Sequence, residues 1–232
     1  MKIFGMEKLS LVDFDGYVSA TLFTGACNFK CGFCHNASLV TDYKELPTYS
    51  EEEIFSYLKK RFGILEGVCI TGGEPTLNPD LPELCKKIKD IGYRVKVDTN
   101  GTNPDMIECL IKDGLCDYFA MDIKNDKEAY GAIIGIDGYD TAKVERSVEI
   151  LKKGAVPYEF RTTIILEHHK LENMEKIGKW LCGAQKYFLQ KFRASENCLT
   201  QGLTEIPTPL AKQFIDVLLP YIPTAKLRGY DV

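Results

Sequence analysis

The chain of 232 residues is short of several things. No apolar run approaches the roughly 20 residues that a membrane helix needs, so no membrane partner is expected. The opening stretch, MKIFGMEKLSLVDFDGY, is broken by charge every few positions and does not read as a secretory signal. Basic residues are not in excess: 29 Lys and Arg stand against 33 Asp and Glu, a net charge of −4, with no basic stripe. Nucleic acid is therefore not the expected partner. Pro/Ser-rich linkers, low-complexity tracts and internal repeats are all missing. The nine cysteines are odd in number and cannot all pair within the chain. A disulfide scaffold would be shorter and more evenly stapled. What remains is a cytoplasmic globular protein, 45% hydrophobic, in which a tight cysteine group signals metal or redox chemistry.

Apolar strand-like runs alternate with longer amphipathic segments. Strands are expected at 17–24, 67–71, 93–98, 118–124, 158–166 and 186–192. Helices are expected near 51–62, 80–91, 104–113, 139–153 and 171–182, with a sixth near 208–219. Ser50 with Glu53 forms a capping box, and Asn103-Pro104 gives an N-cap followed by proline at the first helical position. Leu81, Leu84, Cys85, Ile88 and Ile91 share one helical face. Six strand–helix repeats imply a parallel sheet with crossover helices.

Side chains alternate across a strand. Arg94, Lys96 and Asp98 therefore oppose Val95 and Val97, Asp122 and Lys124 share a face, and so do Arg161 and Thr163. A parallel sheet buried on both faces should be apolar on both. Charge gathered near the C-terminal strand ends instead points to a polar-lined interior with the site at that end. The expected fold is α/β, an incomplete parallel (β/α)6 barrel, that is, a partial TIM barrel. The segment Asn125–Gly138 reads as a loop hanging over that site, or as a plain surface loop.

The first strand runs into Gly-Ala-Cys27-Asn-Phe-Lys-Cys31-Gly-Phe-Cys34-His-Asn. Three thiolates spaced C-x3-C-x2-C can each hold one iron of a four-iron cluster, leaving the fourth iron open to a small ligand. Structural zinc wants four ligands, usually as two spaced pairs, and no second pair follows. Cys198 remains a possible fourth thiolate. Cys69, Cys85 and Cys116 read as core residues.

The run Cys27–Asn36 resembles the signature of radical S-adenosylmethionine (SAM) enzymes. Within them it is similar to the activating enzymes of glycyl radical enzymes, and most like the anaerobic ribonucleoside-triphosphate reductase activating proteins. The stretch Ser10–Gly16, followed by Ala20–Thr24, is similar to their N-terminal segment, although Asp15 stands where the family often has proline. The resemblance covers about residues 3–195, a radical SAM core domain, and leaves 196–232 as a C-terminal helix and tail packed on it.

The resemblance implies a [4Fe-4S] cluster on Cys27, Cys31 and Cys34 that cleaves SAM reductively. Gly72-Gly73-Glu74 matches the family motif that contacts the SAM amino group, where the bland alternative is a tight turn. Asp98-Thr99-Asn100-Gly101 and Asp122-Ile123-Lys124 match two further motifs. They imply a monovalent cation held by Asp98, Thr99 and Asp122, with Lys124 reaching the SAM carboxylate; a plain turn and a local ion pair are the alternatives. Arg161 matches a SAM-contacting arginine. Phe33, His35 and Asn36 are further cofactor-binding candidates, and Gln190 and Phe192 are weaker candidates for the adenosine side. The implied protein substrate is a glycyl radical enzyme, best an anaerobic ribonucleotide reductase, with flavodoxin or ferredoxin as electron donor. A pyruvate formate-lyase-type partner, a small-molecule radical SAM reaction and a non-catalytic metal scaffold are the alternatives.

Overall fold

The structure, a computed structural model, describes residues 1–231. One sheet of eight strands organises them, in the order in which they occur along the chain: β1 (Ile3–Ser10), β2 (Ser19–Thr24), β3 (Gly67–Gly72), β4 (Arg94–Thr99), β5 (Tyr118–Asp122), β6 (Tyr158–Ile164), β7 (Tyr187–Lys191) and β8 (Ala225–Arg228). β1 pairs antiparallel with β2, and every later pair is parallel. No ladder joins β1 to β8, so the barrel is open. The six expected strands are β2 to β7. The two edge strands were not among them, and they widen the sheet at both ends.

The helices are α1 (Ala37–Thr41), α2 (Glu51–Arg61), α3 (Leu81–Ile91), α4 (Pro104–Lys112), α5 (Tyr130–Ile134), α6 (Ala142–Lys152), α7 (Leu171–Trp180) and α8 (Thr208–Leu218). α2 starts at the Ser50–Glu53 capping box, with both reciprocal bonds formed. At α4, Asn103 Oδ1 accepts from Met106 N at 3.3 Å. α3 buries Leu81, Leu84, Cys85 and Ile88 and stops at Gly92, whose φ of +109° is the left-handed conformation that glycine adopts readily. These faces join Val95, Val97, Phe119 and Phe160 in one continuous apolar core. Each fully buried large aliphatic side chain there contributes about 1.5–3 kcal/mol.

Two parts of the chain differ from expectation. Asn125–Gly138 is not a bare loop: it contains α5 and packs on the cysteine loop, with Lys30 N donating to Ile134 O at 2.9 Å and Phe29 edge-on to Tyr130 and Tyr139. Residues 196–231 supply α8 and then β8, which continues the same sheet beside β7.

The barrel floor, at the N-terminal strand ends, is covered by the β1–β2 connection. Phe14 is buried there against Tyr118, Asp13 O accepts from the Lys96 ammonium, and Asp15 pairs with Arg228 at 2.9 Å. The residue that departs from the resembling family's proline thus fastens the first connection to the last strand.

Candidate functional site

At the other end, the C-terminal tips of β2 to β6 enclose one cavity. Its lining includes Cys27, Cys31 and Cys34, with Phe33, His35 and Asn36 from the same loop. Gly72, Gly73 and Glu74 follow β3, Asp98 and Thr99 end β4, Asp122 and Lys124 end β5, and Arg161 comes from β6. Fourteen of the sixteen residues singled out for the site therefore meet in one place. Phe29, Val40, Thr71, Asn100 and Thr163 complete the lining. Gln190 and Phe192 do not line it. Phe192 is buried beside the His35 ring, 5.7 Å between centroids, and β7 stands one strand beyond the cavity wall.

The cysteine loop leaves β2 through Ala26, a non-glycine residue at φ +66°. It is pinned on three sides. Ala26 N donates to Leu39 O at 2.8 Å, Lys30 N reaches α5, and Thr200 N donates to Gly32 O at 2.8 Å. The Gly72-Gly73 pair is needed for this packing itself. A Cβ at Gly72 would lie 2.5 Å from Thr24 O, and one at Gly73 would lie 1.9 Å from Ala26 O. Gly73 N and Glu74 N donate to those same two carbonyls. Asn36 Nδ2 donates to Gly72 O at 3.3 Å and ties the loop's far end to the same turn.

Burial pushes the Cys27 thiol up to about 12 and the Cys31 thiol up to about 11, and raises that of Cys34. Without a metal these are neutral thiols; binding one displaces their protons. Among the described residues no three His, Cys, Asp or Glu side chains converge on a point that a single ion could occupy. Three cysteines line the cavity, and three thiolates suit a four-iron cluster with one open iron, whereas a structural zinc site takes four protein ligands. Cys198, the candidate fourth thiolate, is not on the cavity wall. It is buried behind the loop, 3.9 Å from Phe33 O and 3.7 Å from Ser195 Oγ.

Glu74 is where geometry changes a role. Its carboxylate was expected to meet an ammonium group directly. It is 1% exposed, and Oε1 accepts from Thr76 N, Thr76 Oγ1 and Thr99 Oγ1 while Oε2 accepts from Asn100 N at 2.6 Å. Burial raises its pKa despite those donors. The side chain braces the β3 turn to the β4 turn, and its carboxylate oxygens are taken by the chain's own donors. The Thr99 hydroxyl is committed to the same brace.

Below the thiols lies a chain of charges. Arg161 sits between the two carboxylates, Nη1 3.1 Å from Asp98 Oδ2 and Nε 2.9 Å from Asp122 Oδ1. Lys96 pairs with Asp98 and Lys124 with Asp122, each at 2.9 Å. Burial opposes the charge on Asp122, but Arg161 and Lys124 outweigh it and hold the carboxyl down at about 2. Asp98 is lowered in the same way, by Arg161 and Lys96 against burial. The carboxylates expected to hold a monovalent cation are thus each engaged with side-chain cations, Asp98 with Lys96 and Arg161 and Asp122 with Arg161 and Lys124. The Lys124 ammonium lies 5.5 Å from the centre of the Phe33 ring.

Two further residues here had no role of their own in the sequence reading. His169 is 1% exposed; its Nδ1 accepts from Ile165 N at 3.0 Å, which makes Nε2 the donor to Lys124 O at 3.0 Å. Burial drives its pKa down to about 4, so the ring is neutral as it holds the Lys124 backbone. Asn100 bonds both to the cysteine loop and to Thr102. The Asn-Gly turn and the His-His pair were visible as residues, but neither pattern says what the side chain reaches.

Three thiols around a polar cavity at the strand C-termini of an open barrel define a metallocofactor enzyme with a ligand pocket beside the metal. The chain belongs to the Radical SAM superfamily, whose family model matches residues 21–181. It is an enzyme of that superfamily, dependent on a [4Fe-4S] cluster and S-adenosylmethionine. It is 33% identical over 226 residues to a Methanocaldococcus jannaschii protein named for glycyl-radical enzyme activation, covering 91% of this chain and 92% of that one. It is 32% identical over 162 residues to a probable GTP 3',8-cyclase of Saccharolobus islandicus, covering 68% of this chain but 49% of the cyclase. Among solved structures, a domain of the pyruvate-formate lyase-activating enzyme from Bacteroides vulgatus shares the fold, with a TM-score of 0.57 at 18% identity, covering 71% of this chain and 99% of that domain. No helix among the described residues is long and apolar enough to cross a membrane.

Proposed function

We propose that this protein activates a glycyl radical enzyme, removing a hydrogen atom from a glycine Cα of that partner. The extent of similarity favours this reading over a small-molecule reaction: the match spans 92% of the relative named for glycyl-radical activation but only about half of the GTP cyclase. The resemblance of Asp98-Thr99-Asn100-Gly101 and Asp122-Ile123-Lys124 to that branch's motifs also supports it, with Asp98, Thr99, Asn100, Asp122 and Lys124 lining the cavity. Anaerobic ribonucleotide reductase is the favoured partner, a pyruvate formate-lyase-like enzyme is the alternative, and flavodoxin or ferredoxin is the proposed electron donor in the cytoplasm. The open side of the barrel could admit a loop of a protein substrate.

In this reading Cys27, Cys31 and Cys34 hold the cluster. The cluster, when bound and reduced, supplies the electron that splits SAM into methionine and a 5′-deoxyadenosyl radical. Everything else falls to the chain. The Gly72–Gly73 backbone faces the amino group of SAM, Lys124 and Arg161 face its carboxylate, and Phe33 offers a ring to the adenine. His35, its Nε2 held at 2.6 Å by Arg193 O, and Asn36 shape the wall between cluster loop and ligand. Glu74 and His169 position these groups, and the buried walls exclude water from the reacting centre.

The test is anaerobic co-expression with the candidate reductase, followed by reduction, addition of SAM and EPR. A glycyl radical on the partner with stoichiometric 5′-deoxyadenosine is expected. An intact cluster that yields no 5′-deoxyadenosine with any candidate partner would defeat the proposal.

A further inference from the structure

We infer that Asn100 tunes the cluster, its side-chain amide donating a hydrogen bond to the sulfur of Cys27. This rests on the proposed cluster ligation. Asn100 Nδ2 lies 3.9 Å from Cys27 Sγ and 2.8 Å from Asn28 Oδ1, so both amide hydrogens point at the cysteine loop. The opposite orientation is excluded by the other end of the group. Asn100 Oδ1 accepts from Thr102 N at 3.0 Å and from Thr102 Oγ1 at 2.7 Å, donors that would repel an NH2. Asn28 Nδ2 closes the ring by donating to Thr102 Oγ1 at 2.9 Å. The Asn100 backbone is itself clamped by Glu74 Oε2, and the residue is 5% exposed.

A neutral thiol is a weak acceptor, and 3.9 Å is a loose contact to one. A metal-bound thiolate carries negative charge and accepts more strongly. Hydrogen bonds to the sulfurs are among the factors that set an iron–sulfur potential. A donor at Cys27 stabilises the reduced, more negatively charged cluster more than the oxidised one. Asn100 therefore makes the cluster easier to reduce. Asn28 and Thr102 act through it, as positioning residues that fix the amide.

The experiment is a redox titration of the reconstituted protein, monitored by EPR, with resonance Raman spectra of the iron–thiolate stretches. Asn100→Ala should move the midpoint to a more negative value and shift one stretch. Asn100→Leu, close to asparagine in shape and likewise without the donor but adding no charge, should do the same if the alanine variant fails to load. Thr102→Val, which removes one of the two donors that hold Asn100 Oδ1 and keeps the backbone one, should give a smaller shift in the same direction. An unchanged midpoint in variants with full cluster content overturns the inference and leaves the proposed function standing. Failure of the unaltered protein to take up a four-iron cluster overturns both.

Discussion

The two ends of the barrel are both charged, yet they differ in what their charges leave over. On the floor, Arg228 reaches Glu159 through Nη1 at 2.7 Å and Nη2 at 3.1 Å and Asp15 at 2.9 Å, and its guanidinium lies 3.7 Å from the Phe188 ring centre. Tyr118 OH adds a third donor to Glu159. Every group is consumed by another. At the mouth, Arg161 and Lys124 face two carboxylates, Asp98 and Asp122, and line the cavity with the thiols, while Lys96 reaches Asp98 from the floor side. Glu159 and Arg161 stand on the same strand two residues apart, so alternation alone could not separate them. A charge inside a barrel marks a ligand site when its partners leave it an open side.

Variants at the two ends should therefore fail differently. Cys31→Ala has the largest expected effect: iron content and the absorbance near 400 nm should be lost, with SAM cleavage. Arg228→Met should lower stability to urea by about 3–4 kcal/mol, because it strands the buried Glu159 carboxylate, while SAM affinity stays within about twofold of the parent.

The pH dependence carries the next effect. His169 titrates at about 4 in the folded chain and near 6.5 when unfolded. Between those values the unfolded chain binds a proton that the folded one does not, so stability falls as pH drops from 7 to 4, by on the order of 3 kcal/mol. His169→Gln should flatten that part of the stability profile. Lys124→Met should weaken SAM binding roughly 30-fold, the loss of about 2 kcal/mol of charge-assisted bonding, but leave binding of 5′-methylthioadenosine, which lacks the carboxylate, unchanged in calorimetry. Asp15→Asn, at a half-exposed ion pair, should cost less than about 1 kcal/mol in the same urea experiment.

Much of the mouth was legible because its residues carry their chemistry in short local patterns. The three cysteines, the paired glycines and the strand-end Asp98, Asp122 and Lys124 all line the one cavity. Long-range partners were not legible. Nothing local in Thr-Gly-Gly-Glu says that Glu74 turns inward to Thr99 and Asn100, or in His168-His169 that one ring reaches the Lys124 carbonyl. β1 and β8 escaped because each pairs with one neighbour only and has an irregular, partly exposed pattern. α5 escaped because its glycines, Gly131 and Gly135, read as loop; one accommodates a close approach to Ile136 O and the other caps the helix in the left-handed conformation.

EPR of the reduced, reconstituted protein with and without SAM reaches the central claim most directly. Three thiolates with one vacant iron predict a reduced [4Fe-4S] signal whose shape changes when SAM is added. A signal indifferent to SAM at saturating concentration, or a protein that carries one zinc ion in place of four irons, would contradict the account.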